Sequence, residues 1–186
     1  MLLKDYQLRS LEALEKFFAL TRSDNGADKA FKEVTREWCG FGLEYRDVAE
    51  LPGLPYVCLR VPTGGGKTIM ACHAAGIAMH NLLNADRCVV LWLVPSNAIR
   101  SQTLNALRDR RHPYRSALES RLGSVEVLDV MEALRLNRGT LDSQTVIIVA
   151  TIQAFRVEDT EGRKVYEQSG ALDHHFMRHD CGGADS

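Results

Sequence analysis

The run Tyr56-Val57-Cys58-Leu59-Arg60-Val61-Pro62-Thr63-Gly64-Gly65-Gly66-Lys67-Thr68 decides how this chain is read. Residues 56–61 predict a buried strand, and an apolar helical pattern follows over about 67–83. Between them, three consecutive glycines let a tight turn adopt unusual φ values and bring backbone N–H groups close to an anion. A helix beginning at Lys67 points its positive dipole end at the same place. Lys67 would then reach the β- and γ-phosphates of a nucleotide, with the Thr68 hydroxyl on Mg²⁺. The strict phosphate-loop pattern has a further glycine where this sequence has Val61. The bland alternative is a glycine-rich strand-to-helix turn capped by threonine.

Outward from the loop, strands and helices alternate. Residues 88–94 are almost wholly apolar, as a parallel strand covered on both faces requires. Ser96 is placed as the N-cap of a helix running to about residue 110. A short strand over 125–128, a short helix over 130–137 and a β-branched strand over 145–150 follow. The alternation predicts an α/β domain, a parallel sheet flanked by helices in three layers. Upstream, Leu8, Leu11, Leu14 and Phe18 give a helix over 5–20, with Asp5 able to cap its first turn. A second, weakly patterned helix spans 28–38, and Pro52 and Pro55 bracket a loop. The expected organisation is an N-terminal helical segment over 1–55, an ATP-binding core over 56–156, and a polar extension with a loose tail over 157–186.

Composition narrows the function classes. The 186 residues suffice for one α/β domain, and a net charge of −1 leaves no global field to attract nucleic acid or membrane. Five cysteines at 39, 58, 72, 88 and 181 form no C-x-x-C pair, which fits reduced thiols in a cytoplasmic protein. The longest apolar run is far shorter than a membrane span.

Three further segments keep a familiar order around the loop. Tyr6-Gln7 precedes it, Leu93-Val94-Pro95-Ser96 ends the next strand, and Val149-Ala150-Thr151-Ile152-Gln153-Ala154-Phe155 closes a later one. Together they resemble the glutamine motif, motif Ia and the Thr-x-Gln segment of superfamily 2 helicases. The arrangement is most similar to the helicase (Res) subunit of type III restriction enzymes and its DEAD/DEAH-box relatives. That family relaxes the position held by Val61 and keeps Thr-Gly-x-Gly-Lys-Thr. The resemblance implies a partial RecA-like phosphate-loop NTPase domain that binds ATP and Mg²⁺. It assigns Gln7, Pro62, Thr63, Gly64, Gly65, Gly66, Lys67 and Thr68 to the nucleotide, Gln7 through its adenine edge. It assigns Pro95, Ser96, Thr151 and Gln153 to the sugar-phosphate backbone of a nucleic acid, DNA in a restriction system, with a methyltransferase subunit and the rest of the motor as partners. Ser96 as a plain helix cap and Gln7 as a solvated helix residue are the bland readings.

No catalytic residue is assigned. Hydrolysis in such motors needs an aspartate near Mg²⁺ and an adjacent glutamate for the attacking water. The sequence contains no Asp-Glu dipeptide, and Leu172-Asp173-His174-His175 lacks the glutamate. Truncation before the catalytic acid is the simplest expectation, with negligible turnover and a parallel sheet left with an uncovered edge. Arg108, Arg110, Arg111 and Arg115, with His112, form a basic cluster that suits either phosphate or a solvated helix end. His175, His179 and Cys181 lack a fourth spaced ligand for zinc. His73 and His80 read as packing or surface positions, and Trp92 as core. Other phosphate-loop enzymes remain as alternatives: a small-molecule kinase, which usually starts with the loop strand, or a GTPase, for which no Asn-Lys-x-Asp occurs. A non-catalytic remnant or interaction module is the third class.

Overall fold

The computed structural model describes residues 2–136 and 138–155. The extension over 157–186, including Leu172-Asp173-His174-His175 and the His175, His179 and Cys181 group, lies outside the described residues. The chain forms two compact units, one of Met1–Asp86 with Ser116–Leu122 and the other of Arg87–Arg115 with Gly123–Ser186.

The first unit is helical. Helix α1 (Asp5–Leu20) and helix α2 (Gly26–Cys39) are joined by a π-helical turn, Thr21–Asn25. Helix α3 (Lys67–Ile77) continues into a second such turn, Ala78–Leu83. The helix cap before α1 is Lys4, so Asp5 sits inside the first turn rather than capping it. The core joins Leu11, Leu14, Phe17 and Phe18 of α1, Ala30 and Val34 of α2, and Met70 and Ile77 of α3. Phe17 meets Phe31 edge-on with centroids 6.3 Å apart, and Phe31 lies 5.5 Å from Tyr45, separations at which aromatic pairs add to simple burial. Leu8 is exposed while Gln7 is buried. The inward stripe is therefore Gln7, Leu11, Leu14, Phe18, still at helical spacing but led by an amide.

The strand expected over 56–61 is not formed. Val57 and Val61, four residues apart, pack against the helical core, while Tyr56 and Leu59 are exposed. A parallel strand is stable only where a neighbour pairs its N–H and C=O groups. Among the described residues no strand pairs with this segment. Val57 and Val61 are instead used by the helices beside it.

The second unit contains the sheet. Strands β1 (Val89–Val94), β2 (Val125–Asp129) and β3 (Thr145–Thr151) are all parallel in the order β1-β3-β2. Val94 pairs with Thr151 and Asp129 with Val149. Central β3 is buried almost throughout, as its β-branched run requires. Helix α4 (Asn97–Arg108) packs on the sheet through Thr103, Leu104 and Leu107. Helix α6 (Val130–Ala133) is capped by the Asp129 side chain, which accepts from Glu132 N–H, and a short helix α7 (Arg138–Ser143) leads into β3. Edge strand β1 leaves Leu91 and Leu93 about half exposed. Helix α5 (Pro113–Leu122), absent from the sequence expectation, contributes Pro113 to Arg115 here and Ser116–Leu122 to the first unit. Among the described residues no helix is long and apolar enough to cross a membrane.

Burial divides the cysteines. Cys39 and Cys58 are exposed, whereas Cys72 and Cys88 are buried. Burial pushes the Cys72 thiol up to about 12 and Cys88 to about 11, from an ordinary 9.0. Both stay neutral in the folded protein, while the unfolded chain ionises them from pH 9.0 upward. Their contribution to stability is complete below pH 9.0 and is lost as pH rises through 11 to 12. We expect a thiol reagent at neutral pH to label Cys39 and Cys58 at once, and Cys72 and Cys88 only on unfolding. Mass mapping of the labelled sites checks this.

Candidate functional site

The phosphate loop lies within the first unit. Gly65 N–H donates to Pro62 C=O at 3.0 Å, closing a turn across Thr63 and Gly64, whose φ is +76°. Gly66 caps α3 from the left-handed region, φ 78° and ψ 36°. Gly65 is required for a different reason. A Cβ there would stand 2.6 Å from Val61 Cγ1 and 2.9 Å from Pro62 O. Val61, which departs from the strict pattern, thus forms the wall against which the bare Gly65 backbone turns.

Two side chains from the first turn of α1 hold this loop. Tyr6 Oη donates to Gly65 C=O at 2.8 Å, and Gln7 Nε2 donates to the same oxygen at 2.9 Å. Gln7 Oε1 accepts from Lys4 N–H at 2.8 Å. A Cβ on Gly66 would lie 2.4 Å from Gln7 Nε2, so Gly66 also makes room for the amide. The Gln7 amide is buried and spends both its donor and acceptor sides inside the protein, as a buried amide must. Tyr6 was legible only as the neighbour of Gln7; its hydroxyl contact has no signal in spacing.

Lys67 begins α3 and is exposed, its Nζ 3.2 Å from both Val61 O and Pro62 O. Thr68 follows, half-buried in the first turn. A glycine turn whose backbone takes left-handed φ values, a helix N-terminus and an ammonium group beside it suit a polyphosphate by their chemistry. His73 and His80 both face Arg121: His80 Nε2 is 2.9 Å from Arg121 O. His73 is held below its ordinary value by burial and by the Arg121 charge. These are packing positions, as expected.

The second candidate site is the rim at the C-terminal ends of β1 and β3, wholly within the second unit. Pro95 and Ser96 are exposed after β1, and Ser96 Oγ accepts from Ile99 N–H at 3.3 Å as the cap of α4. Thr151 ends β3 and is buried; Gln153 is exposed in the 3-10 turn Ile152–Phe155. Strand pairing brings these segments together, since Val94 and Thr151 are partners. The basic cluster does not form one surface. Arg115 is buried and donates to Leu107 O and Val125 O, the latter at 2.7 Å. Arg108 donates to Val127 O at 3.0 Å and pairs with Glu132. Among the described residues no group of three or more candidate ligands could hold a metal ion.

The family model described as the res subunit of type III restriction enzymes matches residues 1–177. The chain belongs to this family. The res-subunit family is built on a RecA-like phosphate-loop domain, to which the parallel sheet and its flanking helices conform. Membership places the chain among helicase- or ATPase-type motors, whose activity is ATP-dependent and directed at nucleic acid. No curated protein and no solved structure matches the chain.

Proposed function

We propose that residues 1–186 are the ATP-binding front part of a nucleic-acid-dependent motor of the DNA-restriction type. Pro62, Thr63, Gly64, Gly65, Gly66, Lys67 and Thr68 cradle the phosphates, Thr68 ligates Mg²⁺, and Gln7, expected at the adenine edge, serves the nucleotide site by holding Gly65 O, because its buried amide is spent on that oxygen and on Lys4 N–H. Pro95, Ser96, Thr151 and Gln153 follow one strand of nucleic acid, through contacts that position phosphate without reading sequence. The loop carries this reading: Gly64 and Gly66 turn the backbone through the left-handed region at the N-terminus of α3, and exposed Lys67 stands beside that turn. A methyltransferase subunit and the remainder of the motor complete the system.

These residues bind ATP without turning it over, because no Asp-Glu pair is present to place the attacking water. The expected result is phosphate release at the buffer rate, with or without single-stranded DNA. Steady release that disappears in Lys67→Ala would contradict it.

A second reading, a remnant that keeps the fold without the ligand, draws support from one observation. Residues 56–61, which should deliver the loop from a strand, form none. Saturable nucleotide binding separates the two readings.

A further inference from the structure

Glycines let the loop backbone approach an anion, but they also leave it free to turn over. The peptide joining Gly65 to Gly66 has glycine on both sides, so little steric cost opposes a flip of its plane. Its two polar groups are treated differently. Gly66 N–H makes no hydrogen bond among the described residues, whereas the preceding Gly65 N–H is spent on Pro62 O at 3.0 Å. Gly65 C=O is held twice, by Tyr6 Oη at 2.8 Å and by Gln7 Nε2 at 2.9 Å. In a planar trans peptide, C=O and N–H point in opposite directions. Pinning Gly65 O against α1 therefore turns Gly66 N–H away from α1. Gly66 caps α3, so this N–H joins the unpaired donors of that helix's first turn. Packing does not account for the tyrosine. Tyr6 is 41% exposed and lies outside the helical core, yet its hydroxyl bridges 59 positions of sequence to this one carbonyl.

We propose that Tyr6 is a positioning residue for the phosphate site: its hydroxyl fixes the Gly65–Gly66 peptide so that Gly66 N–H is presented to a phosphate oxygen. This deepens the ATP-binding reading above and rests on it. Tyr6 touches no ligand and acts through Gly65 O. Its work differs from that of Gln7, whose buried amide also ties Lys4 N–H and so belongs to the fold of the first turn of α1. The Tyr6 hydroxyl can be removed with Gly65 O still satisfied by Gln7. What is lost is the second donor, which restricts the direction of the carbonyl as one donor does not. A peptide plane fixed before the ligand arrives lowers the ordering cost of binding.

The test compares Tyr6→Phe with the wild type, each as the whole chain, by calorimetric titration with Mg-ATP and with inorganic tripolyphosphate. Removing one neutral hydrogen bond behind the loop should weaken both ligands by the same factor, about fivefold, at a nearly unchanged melting temperature. Equal loss separates positioning of the loop from a contact with the base, which would weaken ATP alone. In ¹⁵N-labelled wild type, the Gly66 amide resonance should shift on saturation with tripolyphosphate, and that of Gly65, tied to Pro62 O, should move less. That second readout stands even if Tyr6→Phe fails to fold. Wild-type affinity for both ligands in a folded Tyr6→Phe, a loss confined to ATP, or an unmoved Gly66 amide in the saturated complex overturns the assignment and leaves the ATP-binding reading intact. A folded wild type that binds neither ligand overturns both.

Discussion

Lys67→Ala should bind Mg-ATP about 10- to 100-fold more weakly than the wild type while melting at nearly the same temperature. The size follows from removing the ammonium group that faces phosphate, since a hydrogen bond between charged groups contributes ~1.5–3 kcal/mol and ~1.4 kcal/mol is tenfold in affinity. The asymmetry between binding and stability follows from position. Lys67 is exposed, and its Nζ rests on Val61 O and Pro62 O, which are at the surface of the loop and turn to water when it is removed. Calorimetric titration beside thermal denaturation reads both quantities. A variant that melts far below the wild type would mean the lysine is a structural prop of the turn rather than a ligand for phosphate.

Gly76→Val should have the opposite signature, a large loss of stability with no direct contact to the nucleotide. Gly76 is buried in α3, and a Cβ there would stand 2.4 Å from Arg121 Cβ and 3.5 Å from the Arg121 carbonyl carbon. Neither neighbour is the free end of a side chain, so the helices must part. The same seam holds His80 Nε2 on Arg121 O, a bond that parting would break. Overpacking of this kind costs ~1–3 kcal/mol, and the broken hydrogen bond adds about 1 kcal/mol. Thermal denaturation should show the midpoint falling by several degrees. Gly76→Ala, smaller by two methyl groups, should lie between. Equal stability of all three would mean the helices stand further apart than 2.4 Å implies.

The elements carrying their own signal were legible in the sequence. α1 appears over Asp5–Leu20, β1 over Val89–Val94, β3 over Thr145–Thr151, and Ser96 caps α4 as expected. Each is marked by periodicity, a β-branched run or a capping residue next to the element itself. What was not legible depends on partners distant in the chain. The apolar residues of 56–61 read equally well as strand or as packing for neighbouring helices, and only the presence of a pairing strand decides. Helix α5 was hidden in a cluster of arginines read as one charged patch. Pro113 at its first position and Leu118 and Leu122 four apart were the available signals. Gln7 was singled out for its family role, while its hold on Gly65 O came from the structure. Extending the α1 stripe backward from Leu11 would have placed it indoors.

The loop and the rim thus follow different logics. At the loop, glycine spacing announces the chemistry, and the structure adds the contacts from Tyr6 and Gln7 that hold the turn. At the rim, the residue types are ordinary, and their meaning comes from the strand register that sets Val94 beside Thr151. The family model spans both segments.

The central claim is that the loop of residues 61–68 binds ATP. Titrating the wild type with a fluorescent ATP analogue and Mg²⁺, then competing with unlabelled ATP and GTP, tests it most directly. Saturable binding, displaced by ATP and not by GTP, is the predicted result. No binding by a protein whose circular dichroism shows it folded would contradict the account.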